Sequence, residues 1–182
     1  MNLFALLGNC LETIIKLLPR LIIIRATCGG VKWVHGKKVV GLGPGLHVYW
    51  PIVSIVEQIV TARQTLNLPT QVLTTKDKRS VVVGGLVVYR IVDVVQAIGE
   101  RNFDVDDTAR DVCMAALMEV VSDMTFDELL GNPKDVSIKL KRQARKSLRR
   151  FGVGVVNAFL TDLSQCRTYR FIGDGDQRTP LP

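Results

Sequence analysis

The run SVVVGGLVVYRIV from Ser80 to Val92 contains one charge, Arg90, and otherwise little but β-branched and small residues. Apolar side chains on both faces of so short a stretch predict a central strand covered on both sides, which needs flanking strands and a further layer against it. The sequence before it supplies strands. Leu21–Thr27 and Val31–His35 are separated by Gly29-Gly30, and His35-Gly-Lys-Lys38 reads as a turn. Val39–Val40 then leads into the glycine-rich GLGPG, and Leu46–Trp50 runs to Pro51. From Ser54 to Leu68 the pattern is that of one long bent strand, with Val56, Gln58, Val60, Ala62, Gln64 and Leu66 on one face and Ile55, Glu57, Ile59, Thr61 and Arg63 on the other.

The sequence after it supplies helices. Ala109, Val112, Cys113, Ala116, Leu117, Val120 and Met124 make one helical stripe, and Asp104, Asp106 and Asp107 place negative charge at its N-terminus. Thr125-Phe-Asp-Glu128 has the form of a capping box. Asn132-Pro133 reads as an N-cap followed by proline at the first helical position, opening a helix to about Phe151 with Val136, Leu140, Ala144 and Leu148 inward. Gly152 ends that helix, and Val153–Leu163 returns as a strand. The order of strands, helices and a closing strand predicts an α+β fold.

Two segments account for the unusual composition. Eight Lys or Arg and one acid, Asp135, lie between Lys134 and Arg150, which equals the net charge of +7 for all 182 residues. The basicity is therefore one helix's property and not a diffuse surface. The second segment is MNLFALLGNCLETIIKLLPRLIII, where Leu3, Leu6, Leu7, Cys10, Leu11, Ile14, Ile15 and Leu18 share a helical face opposite Asn9, Glu12, Thr13 and Lys16. A helix over residues 2–18 is about 25 Å long and carries two charges, so it is expected to lie in a bilayer interface and not to span it. It lacks the positive start and the A-x-A site of a signal peptide. At 47% hydrophobic the chain is not disordered, and its four dispersed cysteines suit a reducing compartment. A chain of this length is expected to hold one folded domain, residues 20–165, between the anchor (1–19) and a polar tail (166–182).

Several pieces together resemble the SPFH or Band 7 family of stomatins, prohibitins, flotillins and the HflK and HflC proteins. They are Gly43-Pro44-Gly45-Leu46-His47 with Pro51, Leu73-Thr-Thr-Lys-Asp77 before a strand, Val88-Tyr-Arg-Ile-Val-Asp93, and Met124-Thr-Phe-Asp-Glu-Leu-Leu130 ahead of a charged helix. The resemblance implies a mixed α/β SPFH domain beside a membrane segment. It further implies a membrane-bound scaffold that forms homo-oligomers, organises membrane proteins or microdomains and often restrains membrane proteases. The long C-terminal coiled coil of most such proteins has no counterpart in residues 166–182, so contacts between copies would have to come from the SPFH domain.

No reaction chemistry is apparent. GLGPGL has Leu46 where GxGxxG needs glycine, and Pro44 lacks the N–H a phosphate loop would donate. Gly36-Lys37 is followed by Lys38, not Ser or Thr. Two histidines, His35 and His47, have no metal-ligand spacing, and there is no GxSxG elbow. The expectation is a non-enzyme without cofactor or metal. The anchor residues are Leu3, Leu6, Leu7, Leu11, Ile14, Ile15 and Leu18, and a lipid-facing loop is expected at Pro44, Gly45 and Trp50. Cys10 and Cys28 are candidate acylation sites. Lys139, Arg142, Arg145, Lys146 and Arg149 form a patch for an anionic surface or partner, the alternative function being a soluble module that docks an acidic partner through residues 134–150. The absence of aromatics between Pro133 and Arg150 argues against nucleic acid.

Overall fold

A computed structural model describes residues 18–99 and 104–166 of the chain. Residues 2–17 of the expected anchor helix lie outside the described residues, as does the tail from residue 167. Strands β1 (Arg20–Ile24) and β4 (Gly45–Tyr49) pair as an antiparallel ribbon. Strands β2 (Cys28–Val34), β3 (Lys38–Leu42) and β5 (Ser54–Val60) form a sheet in the order β3-β2-β5. A third antiparallel sheet has the order β6-β7-β8, from β6 (Gln64–Thr74), β7 (Ser80–Ile91) and β8 (Val153–Gln165). Between β7 and β8 come a π-helical turn (Val95–Gly99), α1 (Val105–Ser122), α2 (Phe126–Gly131), α3 (Pro133–Leu148) and a 3-10 turn (Arg149–Phe151). This is the α+β order expected.

The helical spacing works out residue by residue. Val136, Leu140, Ala144 and Leu148 of α3 are fully buried, as are Cys113 and Leu117 of α1. Asp104 caps α1 by accepting from the backbone N–H of Asp106 and Asp107, and Thr125 and Glu128 form a reciprocal capping box on α2. Asn132 does not cap α3. Its backbone ends α2, donating to the Glu128 carbonyl, while its side-chain amide donates to the Asp135 carboxylate at 2.6 Å. The Asp135 N–H, which a cap side chain would take, donates instead to the Asn132 carbonyl at 3.0 Å.

Strand β7 is central but covered on one face only. Val81, Val83, Val87, Tyr89 and Ile91 face α1 and α3, which pack on the same side of the sheet against β6 and β8. The alternate residues Val82, Leu86 and Val88 are half-buried, and their neighbours Val72 and Phe159 are largely exposed. Near-continuous apolarity thus reflects a covered face and an open apolar face. The long strand expected over Ser54–Leu68 is two strands in different sheets. The backbone N–H groups of Thr61 and Ala62 both donate to the Thr27 carbonyl, and the chain changes sheet there. Gly29-Gly30 is not a separator but lies inside β2, buried. A Cβ on Gly30 would meet Ile24 Cδ1 at 2.5 Å, so the glycine lets β1 lie close over the sheet.

Polar ties at the starts of α1 and α2 help to hold the helices on. The Tyr89 hydroxyl donates to the Asp106 carboxylate at the start of α1, and burial with that carboxylate holds its ionisation well above the usual tyrosine range. Asp77 accepts from the Thr75 hydroxyl and from the Phe126 N–H at 3.2 Å, and pairs with Arg79. These bonds, the Thr75 one foremost, hold its carboxyl below the ordinary value, and they pin the β6–β7 turn to α2. Cys113 has no solvent exposure, and burial pushes its thiol up to about 12. Alkylation followed by mass spectrometry should therefore find the Cys113 peptide reacting roughly a hundredfold more slowly than the half-buried Cys28 and Cys166, the difference vanishing in denaturant.

Candidate membrane-facing surface

The ribbon fixes which side chains of the first strands meet solvent. In its register Leu21 lies opposite Val48 and Ile23 opposite Leu46. Directly opposed residues share a face, so the four make one apolar patch. They are 67%, 58%, 69% and 62% exposed, whereas Ile24 on the other face is buried. Leu18, Trp50, Ile52, Val53 and Ile55 extend the exposed apolar set, which takes in nine of the sixteen large exposed hydrophobics among the described residues. A concentration of that kind marks an interaction surface, unlike scattered single residues.

The Trp50 turn is built to hold such side chains outward. The buried Ser54 hydroxyl donates to the Trp50 carbonyl at 2.7 Å and accepts from the Trp50 N–H at 3.2 Å. The backbone N–H groups of Val53 and Ser54 donate to the same carbonyl, and His35 N–H donates to Val53 O. With the turn's polar backbone satisfied internally, Trp50, Ile52 and Val53 face outward at little cost in unmade hydrogen bonds. His35 and Gly36, both at positive φ, turn β2 into β3 alongside it, and the two turns with Trp33 and Ile55 line a shallow apolar cleft of about 270 Å³.

Up to Ile55 the charge in this part of the chain has one sign, the first acid being the exposed Glu57 of β5. Between residues 18 and 55 the chain has Arg20, Arg25, Lys32, Lys37 and Lys38 and no Asp or Glu. Lys32 Nζ reaches the Val48 carbonyl at 3.4 Å, leaving its charge beside the ribbon. Apolar side chains rimmed by cations are what an anionic bilayer surface attracts. Leu21, Ile23, Leu46, Val48, Ile52 and Ile55 were not among the residues expected from the sequence. Their signal was the acid-free stretch together with apolar residues on both faces of β1.

The expected site residues are placed unevenly. Pro44 and Gly45 are exposed, but Gly45 pairs with Ile24 at one end of the ribbon while Trp50 follows Tyr49 at the other, so the three do not form one loop. His47 Nε2 lies 2.7 Å from the Gly43 carbonyl and holds the GLGPG bend. Leu18 is exposed and leads directly into β1, while Leu3, Leu6, Leu7, Leu11, Ile14 and Ile15 lie outside the described residues. So does Cys10, and Cys28 is half-buried. Lys139, Arg142, Arg145 and Lys146 of α3 and Arg149 just after it are all exposed, with different neighbours. Lys139 and Arg142 share a cleft with Glu119 and Asp123 of α1 and its cap, and Arg145 turns to the Val155 carbonyl of β8 at 3.0 Å.

Among the described residues no helix is long and apolar enough to cross a membrane, and no cluster of His, Cys, Asp and Glu is arranged to hold a metal. An uncharacterized protein of Archaeoglobus fulgidus is 26% identical over 157 residues, covering 86% of this chain and 63% of that protein. A stomatin homolog of Pyrococcus horikoshii is 27% identical over 70% of this chain and 48% of its own length. Mouse stomatin-like protein 3 is 25% identical over 66% of this chain and 42% of its own. The matched part thus spans between about two fifths and two thirds of these relatives. The family model described as SPFH domain / Band 7 family matches residues 22–170, which takes in every strand and helix described above except the first two residues of β1, and the chain belongs to that family.

Proposed function

We infer that the chain is a non-enzymatic membrane scaffold, held on a bilayer by residues 2–18 together with the β1–β4 face and the Trp50 turn, that assembles with copies of itself and organises membrane proteins, a membrane protease among the candidate clients. The observation that carries this reading is the exposed apolar face of the ribbon, rimmed by cations and continuous through Leu18 with the amphipathic segment. One weak apolar anchor binds a bilayer reversibly, and a second apolar and basic surface next to it makes the attachment stable. Acylation at Cys10 or Cys28 would add to it. The surface faces the compartment in which the cysteines stay reduced.

Flotation with vesicles of phosphatidylcholine and phosphatidylserine tests the reading. The full chain should float at high salt. Removal of residues 1–19, or Leu11→Glu, should reduce flotation and leave a residual binding that needs phosphatidylserine. A full chain that stays in the soluble fraction and behaves like the truncated one would overturn it. Light scattering on the detergent-extracted particle tests the assembly, which predicts a mass of several chains.

A further inference from the structure

We propose that Arg63, Arg90 and Arg145 form a binding site for a phosphate-bearing anion at the end of the β6-β7-β8 sheet. Gln64 lies opposite Tyr89, and Arg90 lies opposite Gly154. Arg63, just before β6, therefore continues the row Arg90–Gly154 across the strands, with its side chain on the open face that carries Arg90. Arg145 comes from α3 around the edge of β8, where it donates to the Val155 carbonyl at 3.0 Å. The three arginines line one cleft of about 380 Å³, completed by Val92, Gly154, Val155 and Val156.

Nothing acidic lines that cleft, and none of the three arginines has an ion pair among the described residues. Like charges placed opposite one another across strands repel, so the Arg63–Arg90 arrangement is one that an anion would relieve. The nearest acid in sequence, Asp93, is engaged elsewhere: its carboxylate accepts from the Val95 and Gln96 N–H groups at 3.0 and 3.1 Å. Gly154 lets the Val92 side chain lie over the strand at one wall of the cleft, because a Cβ there would come 2.6 Å from Val92 Cγ2.

Planar guanidinium forks match phosphate oxygens in pairs, and three of them around one cleft suit a phosphomonoester or diphosphate. Two sources share that chemistry, a soluble phosphate and a phosphorylated lipid headgroup. β5 runs from Ser54, behind the Trp50 turn, to Val60 near Arg63, a length of roughly 20 Å at about 3.4 Å per residue. The cleft therefore stands well away from the turn, within easier reach of a soluble anion.

Isothermal titration of the full chain with inorganic pyrophosphate should give a saturable isotherm. Arg63→Gln and Arg90→Gln, both at exposed positions, should each weaken it by about tenfold and together abolish it. Arg142→Gln, on the same helix as Arg145 but facing α1, should leave it unchanged. Co-sedimentation with phosphatidylcholine vesicles, with and without phosphatidylinositol phosphate, separates the sources. Pyrophosphate binding without a headgroup effect assigns the site to a soluble ligand, and headgroup-dependent sedimentation lost in the Arg63→Gln/Arg90→Gln double variant assigns it to lipid. The absence of both, or binding by Arg90→Gln equal to the native chain's with circular dichroism unchanged, overturns the proposal.

Discussion

A chain carrying both Ile23→Glu and Leu46→Glu should bind anionic vesicles about a thousandfold more weakly than the native chain while staying folded, its melting temperature lowered only slightly by the two opposed carboxylates. The two residues lie opposite one another at the centre of the ribbon's outer face and are 69% and 62% exposed, so neither contributes much to the folded state. In an acyl or headgroup environment each would bury apolar surface worth roughly 1 kcal/mol at partial depth, and each glutamate adds repulsion from the anionic surface of about the same size. Two sites give about 4 kcal/mol, or close to three powers of ten in partitioning. Vesicle titration followed by the fluorescence of Trp50 in a Trp33→Phe background reads this directly. Unchanged partitioning with native circular dichroism would remove the ribbon from the membrane contact and leave attachment to residues 2–18. The companion change on the opposite face, Ile24→Glu, is no substitute, because Ile24 is buried against Gly30 and that variant would unfold the ribbon.

That contrast shows where the sequence is sufficient. The helices were legible because their information is local: the spacing Val136, Leu140, Ala144, Leu148 defines one buried face, and Thr125 to Glu128 contains both halves of its cap. The strands were legible as apolar runs but not in their partners. Nothing between Val60 and Gln64 is glycine or proline, and the break there depends on the Thr27 carbonyl, which lies far back in the chain. Gly29-Gly30 reads as a separator between strands because the reason for it, the room taken by Ile24 and Val94, belongs to other elements. The candidate membrane-facing surface falls between these cases. Its acid-free charge could be counted from residues 18–55, but pairing of β1 with β4 is what places Leu21, Ile23, Leu46 and Val48 on one side. Arg63, Arg90 and Arg145 were wholly illegible as a group, since three separate parts of the chain bring them together.

The largest effect on stability should come from Gly152→Ala, at the junction of the strands with the helical layer. Gly152 ends the 3-10 turn with φ at 71°, the left-handed region that an L side chain enters at a cost of roughly 1 kcal/mol. The added methyl would also lie 2.3 Å from the Asp93 carbonyl oxygen and 3.1 Å from the Ala97 nitrogen, distances at which backbone must move. Overpacking of that kind costs about 1–3 kcal/mol more. The movement has nowhere easy to go, because the Gly152 carbonyl accepts from both Val92 and Asp93 N–H at 2.8 and 3.1 Å, tying the end of β7 to the start of β8. For a chain of this size the sum should lower the melting temperature by roughly 5–15 °C. Gly43→Ala is the control: no atom lies within 4 Å of where its new methyl would sit and its φ is not in the left-handed region, so it should melt with the native chain. A Gly152→Ala chain that also melts close to native would mean that the junction gives without resistance. If instead the loss is as large as argued, hydrogen exchange should speed first at Val92, Asp93 and Ala97. Those residues lead into and form part of the π-helical turn, which packs on β2 and β3. Through that turn the helical layer holds the sheet carrying Trp33 and Ile55, so the stiffness of one glycine junction sets how firmly that sheet is held to the rest of the domain.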